Sequence, residues 1–370
     1  MRVLVVNAGS STLKLALLDA DDRVLHAREL QAPGGVIQAE NHNAALAHGL
    51  SEADAVGHRI VHGGERFRGP VVIDADVRAA LEGLVDLAPL HQPKSLAALA
   101  AVSSLLPNLD AVACFDTAFH ETLPPVARTY ALPPALREGW GIRRFGFHGL
   151  SHSWVARRVP ELLARSGSAL RIVSCHLGAG ASLCAIAGGR SIDTTMGFTP
   201  LEGLVMATRS GSIDPGALLW LLERSDMSER ELASALEHES GLLGLAGTAD
   251  AREVIGRAVG GDEEAELALN VYVHRLRAGI AAMTASLGGL DVVAFTGGVG
   301  ERSAEVRTRA VAGLAFLGLA IDDARNGLAD GDANVTASDA SALTLVIRSR
   351  EDLEIAREVR TVLGDASFNS

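Results

Sequence analysis

Residues 3–18 open with the apolar run Val3-Leu4-Val5-Val6, turn through Asn7-Ala8-Gly9-Ser10-Ser11-Thr12, and return as Lys14-Leu15-Ala16-Leu17-Leu18. An apolar run suits a buried strand, and the small polar turn suits a tight reversal, because Gly supplies unusual backbone angles and Asn and Ser bond nearby backbone. Asp19 to Asp22 closes the second strand. The theme returns at 171–186, where RIVSCH, LGAG and ASLCAI read as strand, glycine turn and strand. A chain that opens each half with such a hairpin is expected to build two related units. Its 370 residues agree, since one compact core rarely holds so many. A strand–turn–strand tip rich in hydroxyls and backbone N–H groups is also a natural cradle for phosphate oxygens.

Composition narrows the function classes. The chain is 48% hydrophobic and 21% charged, as a folded globular protein is. A net charge of −12 with no basic run argues against nucleic acid as a partner. Apolar stretches fall far short of a membrane span, and the N-terminus enters a strand with no signal-peptide pattern. Cys114, Cys175 and Cys184 show no C-x-x-C spacing. These features predict a cytoplasmic protein with reduced thiols. Lys14 and Lys94 are the only lysines of the chain, so a compact ammonium beside the first turn reads as a specific choice.

Further elements follow along the chain. Residues 23–30 read as a third strand, 31–49 as loop and helix, and 53–61 as a strand running into the turn His62-Gly63-Gly64. Helical spacing covers 74–87 and breaks at Ala88 to Pro93. Ala111 to Phe115 is a short buried strand with Asp116 just beyond it. Pro124, Pro125, Pro133 and Pro134 bracket a segment read as extended, and 149–166 reads as helix. Val292 to Ser303 reads as a strand, a glycine turn and a helix, an arrangement whose free N–H groups bind anions. The mixture predicts an α/β class.

Ten segments together resemble the acetokinase family of the sugar kinase, actin and Hsp70 superfamily. They are NAGSSTLK, GHRIVHGGE, APLHQP, FDTAFH, RRFGFHGLSH, SCHLGAGAS, SIDTTMGFTPLEGLVMATRSG, SGLLGLAG, FTGGVGERS and EDLEIARE. Each is weak alone, but they keep the family's order over nearly the whole chain. The resemblance implies a two-lobed α/β fold with a duplicated βββαβαβα-type core and an active-site cleft between lobes. It implies one lobe of 1–149 plus the C-terminal helix 352–370, and a second of 150–351 with the nucleotide site and a dimer interface.

It also implies an activity: Mg²⁺-dependent phosphoryl transfer between ATP and acetate, with propionate as the runner-up acceptor and Mn²⁺ as an alternative metal. A carboxylate is already ionised at neutral pH, so such a reaction needs no general base. It needs positioning and charge neutralisation at the transferring phosphoryl group. Arg59 and Arg209 match the family's arginine pair, suited to bidentate clamping. His148 matches its transition-state hydrogen-bond donor, His176 a supporting phosphate-site histidine, and Asp116 its catalytic aspartate. Asn7 and Glu351 match the magnesium positions. Val61, Leu90, Phe147 and Pro200 match the apolar pocket around the acyl methyl, with Arg59 beside it. Ser10, Thr12 and Lys14, then His176, Gly178 and Gly180, then Asp250 and Arg252, then Gly297, Gly298 and Gly300 match the phosphate and nucleotide positions. A homodimer is implied as well.

The donor side departs from the family pattern at four positions. Ala179 stands where Asn is usual in the second hairpin, Arg302 where Asn follows the GGxGE turn, Ala251 where an aromatic is frequent, and Ser212 where Asp is common. These changes raise the expectation of an unusual donor affinity or identity, pyrophosphate included. Other chemistries fit less well. Ser11 to Lys14 satisfies S-x-x-K, but the companion S-D-N and K-T-G motifs are missing. There is no G-K-[ST] of a P-loop. The pairs His58/His62 and His148/His152 have helical metal spacing, yet both sit among glycines and strand-like residues. A non-catalytic nucleotide sensor would not need Arg59, Arg209, His148 and Asp116 together.

Overall fold

The computed structural model describes residues 1–8, 12–31, 52–87 and 92–366. Gly9, Ser10, Ser11, Leu90, His91 and the loop and helix expected over 31–49 therefore lie outside the described residues, Gln31 apart. Two compact units emerge, one of Met1–Glu121, Phe147–Trp154 and Arg350–Ser370, the other of Thr122–Gly146 and Val155–Ser349.

The first unit holds a six-stranded sheet in the order β3-β2-β1-β4-β6-β5. Its strands are β1 (Val3–Ala8), β2 (Thr12–Leu18), β3 (Val24–Gln31), β4 (Ala55–Ile60), β5 (Val71–Val72) and β6 (Ala111–Phe115). The opening hairpin is as expected, with β1 antiparallel to β2 and Asn7 directly opposite Lys14. Parallel pairs β1–β4 and β4–β6 then bring three strand ends to one edge. Alternation sorts the faces. Leu4, Val6, Leu13, Leu15, Leu17 and Val56 pack with Ala98 and Val102 of the helix Gln92–Leu105. Asn7, Gly57 and Arg59 belong to the opposite face, which the terminal helix Glu351–Ala366 covers. That helix packs so closely that a Cβ on Gly57 would meet Ile355 at 2.6 Å and Val359 at 2.7 Å. Leu353, Ile355, Ala356 and Val359 are its buried stripe, each of the larger ones contributing on the order of 1.5–3 kcal/mol.

The second unit repeats the plan. Its sheet runs β11-β12-β10-β7-β8-β9. The strands are β7 (Arg171–Leu177), β8 (Ala181–Ala187), β9 (Arg190–Thr194), β10 (Val292–Thr296), β11 (Ala333–Asn334) and β12 (Leu343–Val346). Again two antiparallel hairpin steps precede two parallel steps and an antiparallel edge strand. The topology matches the first unit strand for strand, which is the duplication the two hairpins predict. A 25-residue helix, Glu263–Leu287, packs on this sheet through Leu269, Tyr272, Val273, Leu276, Ile280 and Met283. Asp262 caps its first turn and Gly288, at φ 65°, ends it.

Two local expectations need correction. The proline-bracketed segment is not extended: Pro125–Arg128 and Pro134–Arg137 are single helical turns. Proline at the first helical position has its φ preset for a helix and lacks only an N–H that would be unpaired there anyway. The glycine turn after β10 is itself the helix Gly297–Arg302, entered through Gly297 at φ 78°. No helix among the described residues is long and apolar enough to cross a membrane.

Candidate active site

In the first unit, the parallel strands place their chemistry at their C-terminal ends, the usual position for ligands in open α/β sheets. Asn7 is the penultimate residue of β1, Arg59 lies near the end of β4, and Asp116 follows β6. Arg59 Nε donates to both Asp116 oxygens at 3.1 Å, and its Nη2 donates to Oδ2 at 2.6 Å. Its Nη1 donates to Asn7 Oδ1 at 3.1 Å, and Asn7 Nδ2 donates to Glu351 Oε2 at 2.8 Å. Four of the expected residues thus form one continuous network.

Electrostatics keeps this network charged in a specific way. Burial works against the Arg59 guanidinium, but the negative charges of Asp116 and Glu351 outweigh it and hold the group above its ordinary value. Burial pushes the Asp116 carboxyl up, Arg59 pulls it down, and the nearby Glu351 adds to the upward push. Arg59 is thus the cation on which both carboxylates act, and the charge of Glu351 disfavours that of Asp116.

His148 joins the same unit through backbone geometry. It has φ 56°, a left-handed conformation that costs a non-glycine residue energy. The next residue, Gly149, begins the helix Gly149–Leu163 and donates its N–H to the Asp116 carbonyl at 2.8 Å. A Cβ on Gly149 would lie 2.2 Å from that carbonyl oxygen, so only glycine permits the approach. Phe147 is buried, its carbonyl 3.0 Å from His120 Nε2 and its ring edge-on to His62. Val61 is buried too. Thr12 is half-buried on β2, and Lys14 is exposed on the Asn7 face of the hairpin. Ser10 and Leu90 lie outside the described residues.

In the second unit, His176 pairs in register with Thr296, so the ends of β7 and β10 are adjacent. Gly178 N donates to the Gly180 carbonyl at 2.9 Å, which closes the second hairpin's turn. A Cβ on Gly297 would meet the Leu177 carbonyl at 2.8 Å, so the glycine helix starts directly against β7. Glu301 folds back to accept the Gly297 and Ser349 N–H groups at 3.0 Å each. Arg209 donates from Nη1 to the Pro200 carbonyl at 3.1 Å, bringing those two expected residues together. Asp250 caps the helix Ala251–Val259 and pairs with exposed Arg252 at 2.7 Å, which pulls the carboxyl down to about 2.

The four departures have structural places as well. The Ala179 carbonyl accepts the Ala207 N–H, and Ser212 bonds to Gly203 through both its N–H and its hydroxyl. Ala251 is the first residue of its helix, and Arg302 is the exposed last residue of the glycine helix.

Buried Arg307 is a structural support of the glycine helix that motif spacing does not reveal. Its Nη1 donates to the Gly300 and Glu301 carbonyls at 2.8 Å, and its Nε and Nη2 reach Asn326. It therefore clamps the end of the glycine helix. Burial pulls its guanidinium down to about 10. An arginine in the polar-looking run Arg-Thr-Arg gave no sign of burial.

The chain is similar to known proteins over nearly its full length. The Acetokinase family profile matches residues 34–357. A protein called acetate kinase from Leifsonia xyli is 45% identical, with 96% of this chain and 97% of that one covered. The crystal structure of Porphyromonas gingivalis acetate kinase superposes with a TM-score of 0.88 at 35% identity, covering 98% and 99% of the two chains. A propionate kinase structure from Francisella tularensis gives a TM-score of 0.88 at 34% identity, covering 96% and 98%.

Proposed function

The chain belongs to the acetokinase family and is an ATP-dependent kinase of acetate, and from that premise we propose how its residues divide the work. The observation that carries the assignment is the Asn7–Arg59–Asp116–Glu351 network at the ends of three neighbouring strands.

The acceptor oxygen of acetate attacks the γ-phosphorus of ATP. The bond from phosphorus to the β,γ-bridging oxygen breaks, ADP leaves with that electron pair, and acetyl phosphate forms. Because the nucleophile is already anionic, no proton has to be removed. The protein's task is to align the reactants and to neutralise charge on the equatorial oxygens. Arg59 and Arg209 supply that charge, and His148 donates a hydrogen bond as it builds up. His176, Gly178 and Gly180, the glycines of 297–300, and Thr12 and Lys14 contact phosphate oxygens, as Ser10 does in this reading. Asp250 and Arg252 contact the nucleoside. Binding of the methyl group is assigned to Val61, Leu90, Phe147 and Pro200.

The Asn7 amide oxygen and the Glu351 carboxylate are hard oxygen ligands of the kind that suits Mg²⁺. Those two residues would hold the ion, with Mn²⁺ as substitute. When bound, it supplies neutralisation and orientation of the donor's phosphate oxygens. Asp116 holds Arg59 in line and stays near the substrate.

We assign the first lobe to 1–121, 147–154 and 350–370 and the second to 122–146 and 155–349, in place of the expected 1–149 with 352–370 and 150–351. The second carries the nucleotide site and the face for a homodimer. The helix Pro215–Arg224 supports that face: none of its residues is buried, and Leu219 and Trp220 are 65% and 60% exposed. Cytoplasmic residence fits three unpaired, buried cysteines.

A hydroxamate assay with acetate, propionate and butyrate against ATP, GTP and pyrophosphate tests the reading. Acetate with ATP should be the best pair. Propionate should follow within roughly 10–200-fold, the range one methylene commonly sets. Hydroxamate formed from pyrophosphate and not from ATP would overturn the donor assignment.

A further inference from the structure

Arg209 is held by a carboxylate that the reaction as written does not use. Its Nε lies 3.5 Å from Glu237 Oε2, and both side chains are only 14% exposed. Its Nη1 reaches the Pro200 carbonyl at 3.1 Å and Met206 Sδ at 3.5 Å. Two nitrogens on different edges of a planar guanidinium are thus engaged, which fixes its plane. We infer that Glu237 is a positioning residue for the phosphoryl-neutralising arginine of the second unit; this rests on the catalytic reading of Arg209.

The surroundings show why Glu237 can serve as an anchor. It is the penultimate residue of the helix Glu229–His238, whose N-terminus is secured by a capping box of Ser228 and Glu231. The last carbonyls of a helix have no partners within it. Here the Arg209 loop and its neighbours supply them. Thr208 Oγ1 donates to the Glu237 carbonyl at 2.8 Å, Ser210 N to Leu236 at 3.0 Å, and Ser240 Oγ to Ala235 at 2.7 Å. Ser240 N returns a bond to the Thr208 carbonyl at 3.0 Å. Gly241, at φ 62°, brings the following segment so close that a Cβ would meet the Met206 carbonyl at 2.2 Å and that of Arg209 at 2.7 Å. Leu242 N and Leu243 N then bond the Met206 and Ala207 carbonyls at 2.9 Å. The arginine loop is fastened to the helix end on both sides of Arg209.

Charge then does what backbone bonds cannot. A helix C-terminus carries partial negative charge, and the Glu237 carboxylate adds a full one. At 3.5 Å the contact with Nε is an ion pair more than a hydrogen bond, so attraction sets the orientation. The first unit solves the same problem with Asp116 on Arg59. Each proposed catalytic arginine is therefore backed by its own carboxylate. An arginine side chain left loose would have to be ordered at each turnover, and misplacement by about 1 Å can cost roughly 100-fold.

The test compares Glu237→Gln, Glu237→Asp and Arg209→Ala, each alone, and Glu237→Gln combined with Arg209→Ala. The readouts are kcat, the KM for ATP and the melting temperature. Glu237→Gln should lower kcat roughly tenfold, with the KM for ATP within about twofold of wild type and the melting temperature kept. Glu237→Asp, which keeps the charge, should recover kcat to within about threefold. In the Arg209→Ala background the Gln substitution should have no further effect, because residues acting as a unit are not additive. If Arg209→Ala collapses turnover while Glu237→Gln leaves kcat unchanged, the positioning role is overturned and the reading of Arg209 stands. If Arg209→Ala keeps full turnover, the catalytic reading falls and Glu237 falls with it. An equal loss from Glu237→Gln in both backgrounds, or a kcat loss that tracks a fallen melting temperature without rescue by Asp, also overturns the proposal.

Discussion

Arg59 and Asp116 meet at the ends of adjacent parallel strands, with Nη2 2.6 Å from Oδ2 and side chains only 15% and 2% exposed. Breaking a buried pair by removing one partner typically costs about 3–5 kcal/mol, because the other charge is left behind. Asp116→Asn keeps the shape and removes the charge. It should lower the melting temperature and cut kcat by at least roughly 100-fold, as Arg59 loses its fixed orientation. Calorimetry and steady-state kinetics on one preparation would check both effects. Wild-type values in both would show that the pair serves neither stability nor turnover.

Glu358 links stability to pH. Burial, first, and the charges of Glu354 and Asp116 push its carboxyl up to about 7, against the pull of Cys114 and Arg357. A raised folded-state value means the folded chain binds this proton more tightly than the unfolded chain does. The stabilisation is fully present below about 4.5 and is lost as pH rises through about 7, with an upper bound of about 3 kcal/mol. Glu358→Gln should flatten this part of the stability profile and leave the protein more stable than wild type at pH 8. Chemical denaturation at several pH values would read it.

Gly149 fixes the distance between His148 and Asp116. The Cβ of Gly149→Ala would sit 2.2 Å from the Asp116 carbonyl, so the backbone must shift. Turnover should fall at least roughly tenfold, a larger change than in any KM, since the displaced histidine is the proposed hydrogen-bond donor to the transition state. His148→Asn complements it, because Asn tolerates the left-handed backbone. That variant should fold normally and still lose turnover.

Arg307 predicts a defect on the donor side. Arg307→Met leaves the Gly300 and Glu301 carbonyls and Asn326 without this donor, at a cost of about 1–3 kcal/mol for each group left buried and unpaired. The end of the glycine helix should loosen, so the KM for ATP should rise more than that for acetate. A rise confined to acetate would contradict the placement of the nucleotide at 297–300.

Much of this was legible in local sequence. The two hairpins are patterns of apolar runs and turn residues, and they announced two sheets with one topology. Arg59, Asp116 and Asn7 stand at strand ends, where short motifs mark them. Glu237 and Arg307 escaped because each sits in a helix, where a charged residue normally means a solvated face. Their partners are a loop 28 residues upstream for Glu237 and Asn326 for Arg307, contacts that periodicity does not encode. The prolines at 125 and 134 mislead for the opposite reason: each opens a helical turn, yet in a cluster they read as brackets of an extended segment.

In the proposed reaction the carboxylate itself attacks phosphorus. Acetate labelled with ¹⁸O in both carboxylate positions, incubated with ATP, Mg²⁺ and the enzyme, tests it by ³¹P NMR of the acetyl phosphate formed. Every new acetyl phosphate should carry one ¹⁸O bonded to phosphorus, seen as an isotope-shifted resonance. Acetyl phosphate with an unshifted resonance would place the attack elsewhere and contradict it.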